Sequence, residues 1–112
     1  MQAGQGDDRK YIIGWLTLKP GKRVKFMALA RDYAERCREE DGCLFFEMNP
    51  RVDDPDVVVV AECFKSVAAH EAHLNTPWFR ELWAELGRIG VTGRFENIVG
   101  GRVEVDTVDF GG

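Results

Sequence analysis

The chain has 112 residues, of which 45% are hydrophobic and 30% are charged, and its formal net charge is −4 at pH 7. This length predicts one domain, and the acidic balance argues against a nucleic-acid-binding protein, which needs a basic face. No apolar run, including residues 57–61, approaches the roughly 20 residues of a membrane span, and the polar N-terminus lacks the apolar stretch of a signal peptide. Three cysteines without a Cys-x-x-Cys pair indicate neither a disulfide framework nor a structural zinc site. We therefore expect a cytoplasmic protein with no nucleic-acid partner and no membrane partner.

The first part of the chain predicts a strand followed by a helix. Residues 1–9 are polar and predict a flexible tail ahead of a single domain over residues 10–112. Residues 10–18 are rich in β-branched and aromatic side chains and predict the first strand. Residues 21–40 predict a helix, and we expect Gly42 to adopt the left-handed conformation that often follows a last turn. The apolar face of this helix, at about 100° per residue, consists of Phe26, Leu29, Ala30, Tyr33, Ala34 and Cys37.

Two strands follow, joined by a turn that is rich in proline and aspartate. Residues 43–49 predict the second strand and residues 57–65 predict the third. Residues 57–61 are apolar on both faces, whereas an antiparallel strand with only one covered face alternates between apolar and polar side chains. A domain of this size cannot supply a second layer of helices, so the third strand indicates a partner subunit against the sheet.

Two short helices and a last strand complete the predicted order. Ser66 can cap one helix, and Thr76 followed by Pro77 can open another. Residues 87–101 contain five glycines and are interpreted as irregular, and residues 102–110 predict the final strand. The order β–α–β–β–α–β predicts a ferredoxin-like α+β fold, in which a four-stranded antiparallel sheet carries its helices on one face.

Three polar side chains are candidates for chemistry. His70 and His73 lie three residues apart and share a helix face, but a metal site needs one or two further ligands and only Glu62 is available. We therefore expect no bound metal, and we interpret His70 as an exposed or locally hydrogen-bonded side chain. Glu62 is either a solvent-facing or ion-paired carboxylate, or a group that holds a histidine in one tautomer.

The chain is rich in large aromatic side chains for its length. Most of them should pack in the core, but such rings could also line a space between sheet and helices that suits a flat aromatic ligand. No dinucleotide-binding glycine motif, Walker loop or nucleophile elbow occurs in the sequence. The candidate lining residues are Trp15, Phe46, Phe64, Trp78 and Trp83.

Five short segments stand in a characteristic order: Leu18-Lys-Pro-Gly21, Arg38-Glu-Glu-Asp-Gly-Cys-Leu-Phe-Phe-Glu47, Asp54-Pro55, Glu62-Cys-Phe-Lys-Ser66, and the series Ala69, His73, Thr76-Pro77 and Phe79. Together, over about residues 11–83, they resemble the antibiotic biosynthesis monooxygenase family of dimeric α+β barrels. The resemblance implies a homodimer in which two sheets pack face to face. It also implies a cofactor-independent monooxygenase that oxidises an anthrone- or quinol-like aromatic substrate with molecular oxygen, using neither metal nor flavin.

The resemblance also assigns site residues. The family's helix histidine maps on His73, which we expect to act as the proton acceptor, and its strand-three carboxylate maps on Glu62, which would orient that histidine. Heme-degrading relatives carry asparagine, tryptophan and histidine where this chain has Gly14, Phe64 and Trp83. The resemblance therefore does not extend to heme degradation.

Two alternative functions stay open at this point. One is a non-catalytic dimer that binds a small ligand or takes part in a stress response, with a merely apolar pocket. The other is an isomerase of a small hydroxyketone, in which the same histidine shuttles a proton. A pocket that contains a buried His73 and another buried donor or acceptor would favour an enzyme, whereas a surface-exposed His73 would favour the non-catalytic dimer.

Overall fold

The structure is a computed structural model and describes residues 8–111. Most of the predicted tail, residues 1–9, lies outside the described residues and stays a prediction. The described chain contains strands and helices in the order β1 (Lys10–Thr17), α1 (Arg23–Arg38), β2 (Cys43–Pro50), β3 (Val57–Phe64), α2 (Val67–Leu74), α3 (Pro77–Arg88), β4 (Thr92–Val99) and β5 (Arg102–Asp109).

The strands form one antiparallel sheet in the order β2-β3-β1-β4-β5. β1 lies at the centre and pairs with β3 on one side and with β4 on the other along its whole length. Strands β2, β3, β1 and β4 have the ferredoxin-like arrangement, which confirms the predicted α+β fold class. β5 extends the sheet beyond β4, so the predicted count of four strands is wrong.

The strand missing from the predicted order is β4, which lies within residues 87–101, the segment interpreted from the sequence as irregular. The glycines there have specific roles in a hairpin. A Cβ at Gly93 in β4 would stand 2.9 Å from a ring carbon of Phe95, so any other residue there would require that ring to move. Gly100 and Gly101 have φ of 56° and 80° and form the two-residue turn to β5. Positive φ at both positions is what such a tight hairpin requires.

Local signals place the helices correctly. The hydroxyl of Ser66 accepts a hydrogen bond from the backbone N–H of Ala69, and that of Thr76 accepts one from Phe79, so both predicted caps are confirmed. Five residues of the predicted apolar face of α1 are buried, namely Phe26, Ala30, Tyr33, Ala34 and Cys37. Leu29, at the edge of that face, is only half-buried.

Gly42 is required for a different reason from the predicted one. It is not among the glycines with positive φ. Instead, a Cβ at this position would lie 2.4 Å from the Cβ of Ala69 in α2. Because Gly42 has no side chain, α2 can approach the start of β2 closely.

The helices pack on one face of the sheet, and the core lies between them and that face. Because neighbouring residues of a strand point to opposite faces, Leu16 of β1 faces the helices while Ile13 and Trp15 face away. The face away from the helices, which we call the open face, carries Tyr11, Ile13, Trp15, Phe45, Val59, Ala61, Val103 and Val105. Val103 and Val105 are 54% and 51% exposed. In the part of the chain that the structure describes, no helix has the length and apolar character needed to cross a membrane.

Candidate functional site

α2 brings two histidines against the end of β3. His70 is 8% exposed and His73 only 2% exposed. The ring of Phe64 lies with its centroid 5.2 Å from that of His70 and 4.9 Å from that of His73. Both imidazoles are therefore part of the interior. The interpretation of His70 as an exposed or locally hydrogen-bonded side chain is wrong, because α2 packs its histidine-bearing side onto Phe64.

His73 is held at both of its ring nitrogens. Its Nδ1 lies 2.9 Å and 3.1 Å from the two carboxyl oxygens of Glu40, and its Nε2 lies 3.1 Å from the hydroxyl oxygen of Tyr33. A carboxylate only accepts hydrogen bonds, so the contact with Glu40 places the proton on Nδ1. Nε2 is then the acceptor for the Tyr33 hydroxyl, which donates to it. The indole N–H of Trp78 also donates to Glu40, at 2.8 Å.

Glu62 of β3 approaches the same histidine without a hydrogen bond. Its Oε1 lies 3.8 Å from Nε2 of His73, which is too long for a hydrogen bond. Burial, together with the charge of Glu40, raises the pKa of Glu62 to about 8, so its carboxyl group is mostly protonated at neutral pH. The expected orientation of His73 by Glu62 is thus not what the geometry shows, since Glu40 makes that contact.

The remaining titratable groups of the cluster are also kept neutral by burial. Burial lowers the pKa of His70 to about 3, so its imidazole is uncharged at neutral pH. Burial raises the pKa of the Tyr33 hydroxyl and of the Cys37 thiol far above their ordinary values. Both groups therefore remain protonated.

One group of side chains has the composition of a metal site. Ligand atoms of Cys37, Glu40 and His73 all lie within 4.8 Å of one another, and thiolate, carboxylate and imidazole are ligands that zinc accepts. A metal ion there would require the loss of the thiol proton and would compete with Nδ1 of His73 for the Glu40 carboxylate. The arrangement fits a hydrogen-bonded cluster better, and the absence of a bound metal stays a prediction.

A cavity of about 410 Å³ opens between the sheet and helices α2 and α3. This volume is in the range of pockets that hold small organic ligands. Its polar lining consists of Tyr33, Glu62, His70 and His73 on the α2 side and Asn97, Asp106 and Thr107 on the β4–β5 side. The apolar walls include Ile12, Leu16, Leu82, Leu86, Phe95 and Phe110. The arrangement can hold a flat apolar molecule with an oxygen atom directed toward the histidine cluster.

Comparison with known proteins identifies the family. Residues 11–85 match the family described as antibiotic biosynthesis monooxygenase. The chain belongs to the antibiotic biosynthesis monooxygenase family. The resemblance seen in the sequence is thereby confirmed, and the family's fold is the one described above.

The individual proteins that are similar to this chain have low sequence identity to it. The uncharacterized protein sll1783 of Synechocystis sp. is 29% identical over 75 residues, which are 67% of this chain and 51% of that protein. The chain thus spans about half the length of this curated relative. A conserved protein from Bacteroides thetaiotaomicron has a similar structure, with a TM-score of 0.77 and 15% identity over 83% of this chain and 98% of that chain. A conserved protein from Methanosarcina mazei has a TM-score of 0.71 and 18% identity, over 96% of this chain and 98% of that one.

Some of the predicted site residues line the cavity, and others lie outside it. His73, Glu62 and Trp83 line it. Phe46 and Phe64 are buried, with ring centroids 6.2 Å and 4.9 Å from that of His73, and they support the histidine without lining the cavity.

Two of the predicted lining residues lie outside the cavity. Trp78 contacts Glu40 instead. Trp15 lies on the open face, where the guanidinium of Arg94 stands 5.3 Å from the centre of its ring. Strand alternation explains this position, because Trp15 points away from the face to which Leu16 contributes.

Two residues of the cluster were not predicted as site residues. Tyr33 was assigned only to the apolar face of α1, and Glu40 was not singled out. Tyr33, Cys37 and Glu40 follow the i, i+4, i+7 spacing of a single helix face. A carboxylate that continues an apolar helix face indicates a buried partner, and this signal could have identified Glu40. Asn97 could not be identified while β4 is interpreted as irregular, and the place of Asp106 beside the cavity follows from the pairing of β5 with β4.

Proposed function

We propose that this protein is a cofactor-independent monooxygenase that oxygenates an ionisable aromatic substrate, a quinol or anthrone, with molecular oxygen. The observation that carries the proposal is the hydrogen-bonded chain Glu40–His73–Tyr33, which ends at an otherwise largely apolar cavity. Such a chain is suited to removing a proton from a bound hydroxyl group or an activated C–H bond. The buried histidine with buried polar neighbours favours an enzyme over the non-catalytic binding dimer.

The proposed first step is removal of a proton from the substrate. Nε2 of His73 already accepts from the Tyr33 hydroxyl, so the substrate proton passes to the Tyr33 oxygen while the Tyr33 proton moves to Nε2. Glu40 fixes the ring and stabilises the imidazolium that forms, as a buried carboxylate does for the histidine of a catalytic triad. His73 is thus the base and Tyr33 the relay.

The oxygen chemistry then needs no electron donor other than the substrate. The ionised aromatic substrate reacts with oxygen at its electron-rich carbon and forms a C–O bond, giving a hydroperoxide after protonation. Loss of water from the hydroperoxide leaves a carbonyl group on that carbon. One oxygen atom enters the product and the other leaves as water, and the substrate supplies all the electrons. The apolar walls of the cavity suit the aromatic ring better than the small hydroxyketone of the isomerase alternative.

We also propose that a second copy of the chain covers the open face. Phe45, Val103 and Val105 on that face are 41%, 54% and 51% exposed in the single chain. Exposed apolar side chains gathered on one face of a sheet are typical of a subunit interface. Two such sheets packed face to face should bury more than the roughly 1,000 Å² of a stable interface.

Oxygen uptake with a panel of anthrones and quinols tests the proposed activity. We expect uptake with the unaltered protein and a loss of about 10²–10⁴-fold in turnover for His73→Ala. Glu71→Ala, on the exposed side of the same helix, is the matched control and should retain full activity. The absence of uptake with every substrate, or full activity of His73→Ala, would contradict the proposal.

A further inference from the structure

Two nearly buried polar side chains of the cavity lack a hydrogen-bond partner within the described part of the chain. Glu62 and His70 are each 8% exposed and line the cavity. The carboxyl group of Glu62 has two oxygens and the imidazole of His70 has two nitrogens. None of these atoms forms a hydrogen bond with another of the described residues 8–111. In the same range of residues, every fully enclosed side-chain nitrogen or oxygen has a partner. The free polar atoms of Glu62 and His70 must therefore be open to the cavity.

Both side chains are uncharged donors at neutral pH. Burial and the charge of Glu40 raise the pKa of Glu62 to about 8, so its carboxyl group keeps a proton that it can donate. Burial lowers the pKa of His70 to about 3, so its neutral imidazole offers one N–H. No lysine or arginine of the described residues forms an ion pair with Glu62. The cavity thus contains two neutral hydrogen-bond donors and, among the residues that the structure describes, no ion-paired cation beside Glu62.

We propose that Glu62 and His70 form an oxyanion subsite, in which two neutral donors bind the ionised oxygen of the aromatic substrate. The inference rests on the proposed function, because that reaction creates a phenolate or enolate inside the cavity. A negative charge is costly in an apolar cavity unless donors face it. Donors fixed in position before the charge develops stabilise it most effectively, and a protonated carboxylic acid is a known device for this purpose. Glu62 would then touch the substrate as an acid and would not orient His73 as a carboxylate.

The charged groups around Glu62 are consistent with ionisation of its carboxyl group near pH 8. The negative charge of Glu40 raises its pKa and the positive charge of Lys10 opposes this effect. Tyr33, Cys37 and His70 are uncharged at neutral pH, as described above. Among the described residues, the titratable groups that surround Glu62 lie on five elements. They are Tyr33, Cys37 and Glu40 at α1, Cys43 on β2, His70 and His73 on α2, Lys10 on β1 and, across the cavity, Asp106 on β5.

Binding of a coloured nitrophenol, which ionises near neutrality, tests the subsite without any turnover. We expect the unaltered protein to bind the phenolate form in preference to the neutral phenol. Glu62→Leu and His70→Phe should each weaken phenolate binding by roughly 10–100-fold, since each removes a hydrogen bond to a charged group. Glu62→Gln should bind like the unaltered protein, because the amide is also a neutral donor. Glu71→Ala is the control and should leave phenolate binding unchanged.

The pH dependence separates an acid from a carboxylate. Phenolate affinity of the unaltered protein should fall as pH rises through about 8, where Glu62 ionises and repels the ligand. The affinity of Glu62→Gln should stay constant over that range, and this comparison does not depend on whether Glu62→Leu folds. Glu62→Gln binding as weakly as Glu62→Leu, an affinity that does not fall above pH 8, or no phenolate binding at all would overturn the subsite. Phenolate binding as expected, with no oxygen uptake on any substrate, would overturn the proposed function and leave the subsite in place.

Discussion

Glu40 holds His73 by a 2.9 Å contact with Nδ1, although the two residues are 33 positions apart in the chain. Glu40 lies just beyond the end of α1, and His73 lies near the end of α2. The contact fixes which nitrogen of the imidazole carries the proton, and so it makes Nε2 the acceptor on the side of Tyr33. The base of the proposed reaction is therefore assembled from two helices and not from one motif.

The charge of Glu40 should be required for turnover. Glu40→Gln keeps an oxygen near Nδ1 but removes the negative charge that stabilises the imidazolium. We expect turnover to fall by roughly 10²–10⁴-fold with little change in the substrate KM, measured by oxygen uptake. The exposed neighbour Glu39→Gln serves as the control and should behave like the unaltered protein. Equal activity of both variants would show that Glu40 has only a structural role.

The buried acid Glu62 should make the folded protein less stable as pH rises. Its pKa is about 8 in the folded protein and 4.5 by its ordinary value, so between these values the unfolded chain loses a proton that the folded chain keeps. The free energy of unfolding should fall with rising pH in that window, by on the order of 1 kcal/mol per pH unit at most. Glu62→Gln cannot titrate there. Urea unfolding at several pH values should show that the free energy of unfolding of Glu62→Gln rises relative to that of the unaltered protein from about pH 5 to 8. A constant difference between the two would contradict the raised pKa of Glu62.

The purified protein should contain no stoichiometric metal. The Cys37 thiol is kept protonated by burial, and the Nδ1 proton of His73 is engaged by Glu40. Elemental analysis should therefore find well below one metal ion per chain, and chelator treatment should leave oxygen uptake unchanged. About one zinc ion per chain that is lost in Cys37→Ser would reverse this view and would assign the cluster as a metal site.

The chain should form a dimer through the open face of the sheet. Val105 stands there half-exposed, so Val105→Asp places a charge in the proposed interface. We expect the unaltered protein to sediment as a dimer at micromolar concentration and Val105→Asp to shift toward the monomer. Val52→Asp lies in the loop between β2 and β3, where Val52 is fully exposed, and should not alter the association. Sedimentation of the unaltered protein as a single monomeric species would rule the interface out.

Local patterns determined much of the fold. The apolar spacing of α1 from Phe26 to Cys37 and the caps Ser66 and Thr76 could be interpreted correctly because each depends on residues within one or two helical turns. The two-sided apolar character of β3 also favours a partner on the open face, and that partner stays a prediction. β4 escaped detection because the five glycines of residues 87–101 are interpreted as one irregular segment, although the pair Gly100–Gly101 is a typical signal for a tight hairpin.

The site was decided only by the tertiary structure. Sequence and family resemblance indicated His73 and Glu62, but the spacing along the chain could not show that Glu40 and Tyr33 would reach the two nitrogens of His73. It also could not show that Glu62 would be buried near Glu40, and burial and the charge of Glu40 are what keep its carboxyl group protonated. Burial and partner identity are properties of the packed helices and sheet, because they depend on contacts between residues distant in the chain. The sequence by itself indicated two of the titratable side chains of the site, His73 and Glu62. The packing of α1 and α2 on the sheet decided which side chains of the site are protonated.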